Sequence, residues 1–141
     1  MVVIRRRILL VEDNPDDESL TQRALRRGDW GAEVIVARDG AAALETLATM
    51  AELPDLVLLD LKLPKLDGPE VLRQIREMDR TRCLCVVVFT SSGEPRDIAL
   101  CQGLGCNSYV IKPVAYESYI STVQQIGAYW LTLNETSIHR N

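Results

Sequence analysis

Five times along this chain a short apolar run is followed by a helix-forming stretch, and that alternation restricts the fold more than any other feature. The runs are Ile8-Leu9-Leu10-Val11, Val34-Ile35-Val36, Leu56-Val57-Leu58-Leu59, Leu84 to Phe89 and Tyr109-Val110-Ile111. They show continuous hydrophobicity in place of a wet and a dry face, the pattern of strands covered on both sides. Between them, Asp16 to about Arg27 carries acids in its first turn, arginines in its last and Gly28 beyond, which predicts a helix. Asp39 and Gly40 open an alanine- and leucine-rich helix to about Met50, and the Pro64 and Asp67-Gly68-Pro69 loop leads into a helix from Glu70 to Met78. Pro95 starts a short helix ending near Gly103. Ala115 to about Leu133 is the last, with Tyr119, Ile120, Val123, Ile126, Gly127, Trp130 and Leu131 on one stripe. Strict strand and helix alternation with crossover-length connections predicts a doubly wound α/β domain with a parallel sheet covered by helices on both faces.

A chain of 141 residues fits one such domain, here assigned to residues 1–133, with 134–141 as a polar, frayed tail. A hydrophobic share of 47% and a charged share of 26% argue against wholesale disorder and fibrous classes. With 20 acidic and 16 basic residues the net charge is -4, so direct DNA binding through an overall basic field is not expected. The one basic run, Arg5-Arg6-Arg7, reads as a solvated strand start. No apolar run approaches the roughly 20 residues of a membrane span, and no signal-peptide pattern opens the chain, so the cytoplasm is the expected location. Cys83, Cys85, Cys101 and Cys106 lack metal-site spacing, the only histidine being His139 in the tail, and read as reduced, partly buried thiols, with Cys83 and Cys85 on one strand face.

Sites in open doubly wound sheets form at the carboxyl ends of the strands. The first run ends in Glu12-Asp13, the third in Asp60, the fourth in Thr90-Ser91 and the fifth in Lys112. Converging carboxylates repel one another unless a cation lies between them, and Mg²⁺ suits an open corner with one or two acids, water and phosphate oxygens. Lys112 and Thr90 would steady the oxygens of a phosphoryl group in transfer, and Asp60 is placed to be its nucleophile. Taken singly, Glu12-Asp13 could be a turn and cap, Asp60 a solvated strand end, Thr90-Ser91 a turn and Lys112-Pro113 a plain strand exit. Four such coincidences at one edge are hard to explain that way.

With these residues in place, the chain resembles the receiver domain of two-component response regulators over nearly its whole length. The motifs are Ile8-Leu9-Leu10-Val11-Glu12-Asp13-Asn14, then Leu58-Leu59-Asp60-Leu61-Lys62-Leu63-Pro64 with Asp67-Gly68, then Phe89-Thr90-Ser91 and Ile111-Lys112-Pro113. The resemblance implies a flavodoxin-like strand order 2-1-3-4-5 and Asp60 as phosphoacceptor. It implies Mg²⁺ or Mn²⁺ held by Asp13 and Asp60, by Glu12 through water, and by the backbone carbonyl of Lys62. It further implies Thr90 and Tyr109 as a switch pair, Lys112 as partner of a phosphoryl oxygen, and a Lys112-Pro113 bond that is often cis. The partner implied is a sensor histidine kinase.

More narrowly, Glu12-Asp13-Asn14-Pro15-Asp16-Asp17 and Ile126-Gly127-Ala128-Tyr129-Trp130-Leu131 resemble stand-alone regulators serving phytochrome-type and related hybrid kinases. Members of that group often form homodimers through the face of helix 4, strand 5 and helix 5, where Tyr116, Tyr119, Tyr129 and Trp130 supply aromatics that either pack across such a face or make core and cap contacts within the chain. Lys62 departs from the family's frequent Asn or Met, and its ammonium either reaches the acid pocket or stays in solvent. It also stands where an aspartyl-phosphate phosphatase usually carries a second acid, which disfavours that enzyme class. A phosphorylation-independent interaction module is disfavoured by the full set of acids, Thr and Lys.

Overall fold

The computed structural model describes residues 6–135, so Arg5, His139 and the tail beyond Glu135 lie outside the described residues. The elements alternate as β1 (Arg7–Val11), α1 (Pro15–Arg27), β2 (Glu33–Ala37), α2 (Gly40–Thr49), β3 (Leu56–Leu59), α3 (Gly68–Glu77), β4 (Val86–Thr90), α4 (Pro95–Gly103), β5 (Ser108–Ile111) and α5 (Tyr116–Ala128). All four pairings are parallel and the sheet order is β2-β1-β3-β4-β5. The expected fold class is therefore the observed one.

Strand periodicity explains how continuous apolar runs serve two cores. Leu9, Val11, Val57, Leu59, Val86 and Val88 face one side and pack on Leu47 of α2, Val71, Leu72 and Ile75 of α3 and Cys101 of α4. Ile8, Leu10, Leu56, Leu58, Val87 and Phe89 face the other and pack on Ala24 and Leu25 of α1 and Tyr119, Ile120, Val123 and Ile126 of α5. Trp30 closes that second layer by lying against Gly28 and Gly127, where any Cβ would collide with its ring.

Side chains in the loops after β1, β2 and β3 start the first three helices. Asn14 Oδ1 accepts the N–H groups of Asp16 and Asp17 at 2.9 and 3.1 Å, and Asp39 Oδ1 accepts that of Ala42 at 2.7 Å. Asp67 Oδ1 accepts the Glu70 N–H at 3.1 Å. These caps satisfy donors that the helices leave open, and they fix where α1, α2 and α3 begin.

Several expectations need correction. β4 begins at Val86, two residues late, because the Arg76 guanidinium takes the Leu84 carbonyl at 2.8 Å and the Asn107 side chain takes the Val86 N–H at 2.8 Å. Cys83 and Cys85 thus precede the strand and share no strand face, Cys83 being exposed. α5 stops at Ala128 and continues as a π-helical turn, Tyr129–Leu133. Arg6 and Arg7 are not simply solvated: they pair with Asp55 at 3.4 Å and with Glu52 at 2.9 Å. No peptide bond among the described residues is cis, so Lys112-Pro113 is trans here. No helix among the described residues is long and apolar enough to cross a membrane.

Candidate functional site

The carboxyl ends of β1, β3, β4 and β5 converge on one edge of the sheet. Glu12 continues β1, its N–H donating to Ala37 O at 3.0 Å, and Asp60 continues β3, its N–H donating to Val11 O at 3.1 Å. Sheet pairing thereby sets the two acids side by side. With exposed Asp13 they offer three carboxylate oxygens within 4.8 Å of one another. Three oxygen donors at that spacing fit a hard divalent cation, which takes carboxylates without needing nitrogen or sulfur.

Lys112 enters from the end of β5. Its Nζ donates to Glu12 Oε1 at 2.6 Å, Asp17 Oδ2 at 2.9 Å and Asp60 Oδ2 at 3.1 Å, and sits 5.9 Å from the Phe89 ring centroid. The other Asp60 oxygen, Oδ1, accepts the Leu61 N–H at 2.7 Å and lies 3.5 Å from the Lys62 N–H. Asp60 is thus fixed at both oxygens, one by backbone and one by the ammonium.

Four carboxylates, Glu12, Asp13, Asp17 and Asp60, share this corner with one ammonium. The most buried acid is the one that most readily takes a proton: burial pushes the Glu12 carboxyl from 4.5 up to about 7, against the lowering effect of Lys112 and with the Asp60 charge adding to the rise. For Lys112, burial favours the neutral amine, yet its bonds to Glu12 and Asp17 and the charge of Asp60 outweigh that and hold it protonated above its usual range.

Thr90 ends β4, is fully buried, and its Oγ1 lies 3.5 Å from the Ser92 N–H; no hydrogen bond joins it to Asp60. Tyr109 on β5 is half-buried and donates its hydroxyl to the Ser92 carbonyl at 2.8 Å. Ser91 is exposed and lines a cavity of about 300 Å³ with Asp17, Leu20, Lys112, Pro113, Val114, Tyr116 and Tyr119. The Lys62 side chain is exposed and forms no ion pair among those described, so its contact with the site runs through the backbone.

Two participants escaped the sequence reading. Asp17 looked like one more acid in a helix's first turn. Ser92, whose hydroxyl lies 2.5 Å from Asp97 Oδ2, looked like one more residue of a turn. Of the two readings open for Tyr119, the apolar stripe of the last helix holds and the dimer face does not: its hydroxyl lies 2.8 Å from Thr21 Oγ1 in the core, and burial pushes the phenol up to about 12.

This fold and this acid corner are those of a signalling receiver, and the family model of the response regulator receiver domain matches residues 8–124. The chain belongs to that family. It is 43% identical to the probable methanogenesis regulatory protein FilR2 of Methanothrix harundinacea, over 92% of this chain and 86% of that protein. It is 38% identical to the response regulator Rcp1 of Synechocystis, over 88% of each, and the Mn²⁺-bound structure of Rcp1 matches with a TM-score of 0.87, 36% identity and coverage of 92% and 97%. The phosphorylated cyanobacterial phytochrome response regulator RcpA matches with a TM-score of 0.90, 36% identity and coverage of 94% of this chain and 98% of that one.

Proposed function

We propose that this receiver accepts a phosphoryl group from the phosphohistidine of a sensor histidine kinase, of the phytochrome type, onto Asp60. The observation that carries the reading is the Asp60 carboxylate held between the acid cluster and the Lys112 ammonium. A carboxylate oxygen of Asp60 attacks phosphorus in line, the phosphorus–nitrogen bond to the imidazole breaks, and the imidazole leaves neutral after taking a proton. Lys112 stays protonated and meets a phosphoryl oxygen, while Thr90, one strand over, supplies a hydroxyl to another. Glu12, Asp13, Asp60 and the Lys62 carbonyl would hold Mg²⁺ or Mn²⁺, which supplies charge neutralisation and a site for one phosphoryl oxygen. The same groups assist later attack by water, so the domain takes part in its own dephosphorylation.

Intact-mass spectrometry tests this directly. Incubation with Mg²⁺ and acetyl phosphate is expected to add one phosphoryl mass to the wild type and none to Asp60→Asn. An unmodified wild type overturns the reading.

Metal binding should depend on pH with a definite sign. Glu12 holds its proton in the folded protein up to about pH 7, and a cation must expel it. Mg²⁺ affinity is therefore expected to fall as pH drops below 7, by up to about tenfold per unit for one displaced proton, and to level off above it. A calorimetric titration series from acid to mildly alkaline pH checks this; equal affinities throughout contradict it.

New charge on Asp60 draws Thr90 and Lys112 and biases how Tyr109 and the β4–α4 loop pack, so the signal leaves through α4, β5 and α5. Leu100, Ile111, Tyr129 and Leu133 expose large apolar surface on those elements and the turn after them, which supports a homodimer there. Sedimentation is expected to show a dimer with Mg²⁺ and beryllofluoride, and monomer in both states would refute the dimer. Output goes through protein contacts in the cytoplasm, without direct DNA binding. Ser91 and Pro113 border the site beside Lys112 and shape access to it.

A further inference from the structure

A primary ammonium has three donors and no acceptor, and Lys112 has committed all three to carboxylates, those of Glu12, Asp17 and Asp60. A phosphoryl group on Asp60 brings new oxygens to the same ammonium, so an existing bond must give way. The three acceptors differ in how easily they let go. The Glu12 side chain is 2% exposed and that of Asp60 11%, whereas that of Asp17 is 28% exposed and faces the cavity it shares with Ser91 and Tyr116. Of the three, Asp17 exchanges Lys112 for water at the smallest cost.

Asp17 is also firmly placed. It is the third residue of α1, its N–H is capped by Asn14, and its carbonyl accepts the Tyr119 hydroxyl at 3.4 Å. The positive end of the helix favours its carboxylate where it stands. We propose that Asp17 is a positioning residue that tethers Lys112 in the resting state and competes with the phosphoryl group for it, biasing the domain toward the unphosphorylated form. This inference rests on Asp60 being the phosphoacceptor.

Beryllofluoride, a mimic of the phosphoryl group, gives the test at saturating Mg²⁺. Asp17→Asn is expected to bind it roughly three- to tenfold more tightly than the wild type, as fits a part-buried ion pair. Asp16→Asn removes a neighbouring charge that does not touch Lys112 and is expected to bind like the wild type. In a Lys112→Met background, Asp17→Asn is expected to change nothing, because the effect runs through the ammonium; the equally uncharged Lys112→Gln serves as background if the Met variant does not fold. Equal affinity of Asp17→Asn and wild type, equal gains from Asp16→Asn, or a gain that persists without Lys112 would each overturn the inference. A wild type that neither binds beryllofluoride nor takes up phosphate overturns the proposed function, and this inference with it.

Discussion

Gly68→Ala is expected to lose on the order of 3 kcal/mol of stability, the upper range for forcing one methyl into a packed site, and with it most phosphoryl uptake. Gly68 is buried at the first position of α3, and its N–H donates to the Leu61 carbonyl at 2.9 Å. A Cβ there would lie 2.5 Å from Leu61 Cα and closer still to the Asp60 carbonyl oxygen. Those atoms are backbone and cannot rotate aside, so either α3 lifts or the segment carrying Asp60 shifts. A displacement of about 1 Å in a reacting group can cost roughly a hundredfold in rate. The expected result is a melting temperature lower by roughly 10 °C and phosphorylation by acetyl phosphate slowed at least about tenfold in the protein that remains folded. Gly103→Ala is the control, since a Cβ at the end of α4 meets nothing within 4 Å. If the two variants melt alike, the close approach at Gly68 does not hold the loop.

The fold was legible because two signals agreed: apolar runs of strand length, and helix-start residues such as Asp39-Gly40 and Asp67-Gly68-Pro69 between them. The acid and basic members of the site were legible for a topological reason. Parallel strands deliver their carboxyl ends to one edge, so Glu12, Asp60 and Lys112 had to meet once the sheet was inferred. What stayed hidden depends on side-chain reach across the third dimension. Asp17 lies on a helix, where periodicity explains an acid by the helix dipole and gives no hint of a lysine 95 positions away. Tyr119 was placed by its helix stripe, but its particular partners were not: the contact with Thr21 and the tilted packing on Phe89, centroids 5.2 Å apart, come from elements far apart in sequence. The late start of β4 was equally unreadable, because it depends on side chains of other segments, Arg76 from α3 and Asn107 from the loop before β5, that take its backbone groups.

Lys112→Met is expected to destabilise the metal-free protein by about 3 kcal/mol, in line with removing one partner of a buried ion pair. The ammonium is 7% exposed and is the only cation bonded to Glu12 and Asp60 among the described contacts. Without it the buried acids repel one another and must take up protons to survive, Glu12 first, since burial already holds its carboxyl near 7. The cost should therefore be larger at pH 8 than at pH 6, where protonation relieves the repulsion. Mg²⁺ should also rescue the variant more than it stabilises the wild type. In the wild type an incoming cation competes with Lys112 for Glu12 and Asp60; in the variant it meets acids with no other counter-charge and binds more tightly, and tighter binding to the folded state raises stability by mass action. Melting both proteins at two pH values with and without Mg²⁺ measures all of this. A stability gap that neither pH nor Mg²⁺ changes would mean that Lys112 acts through packing against Phe89 and not through the charges it faces.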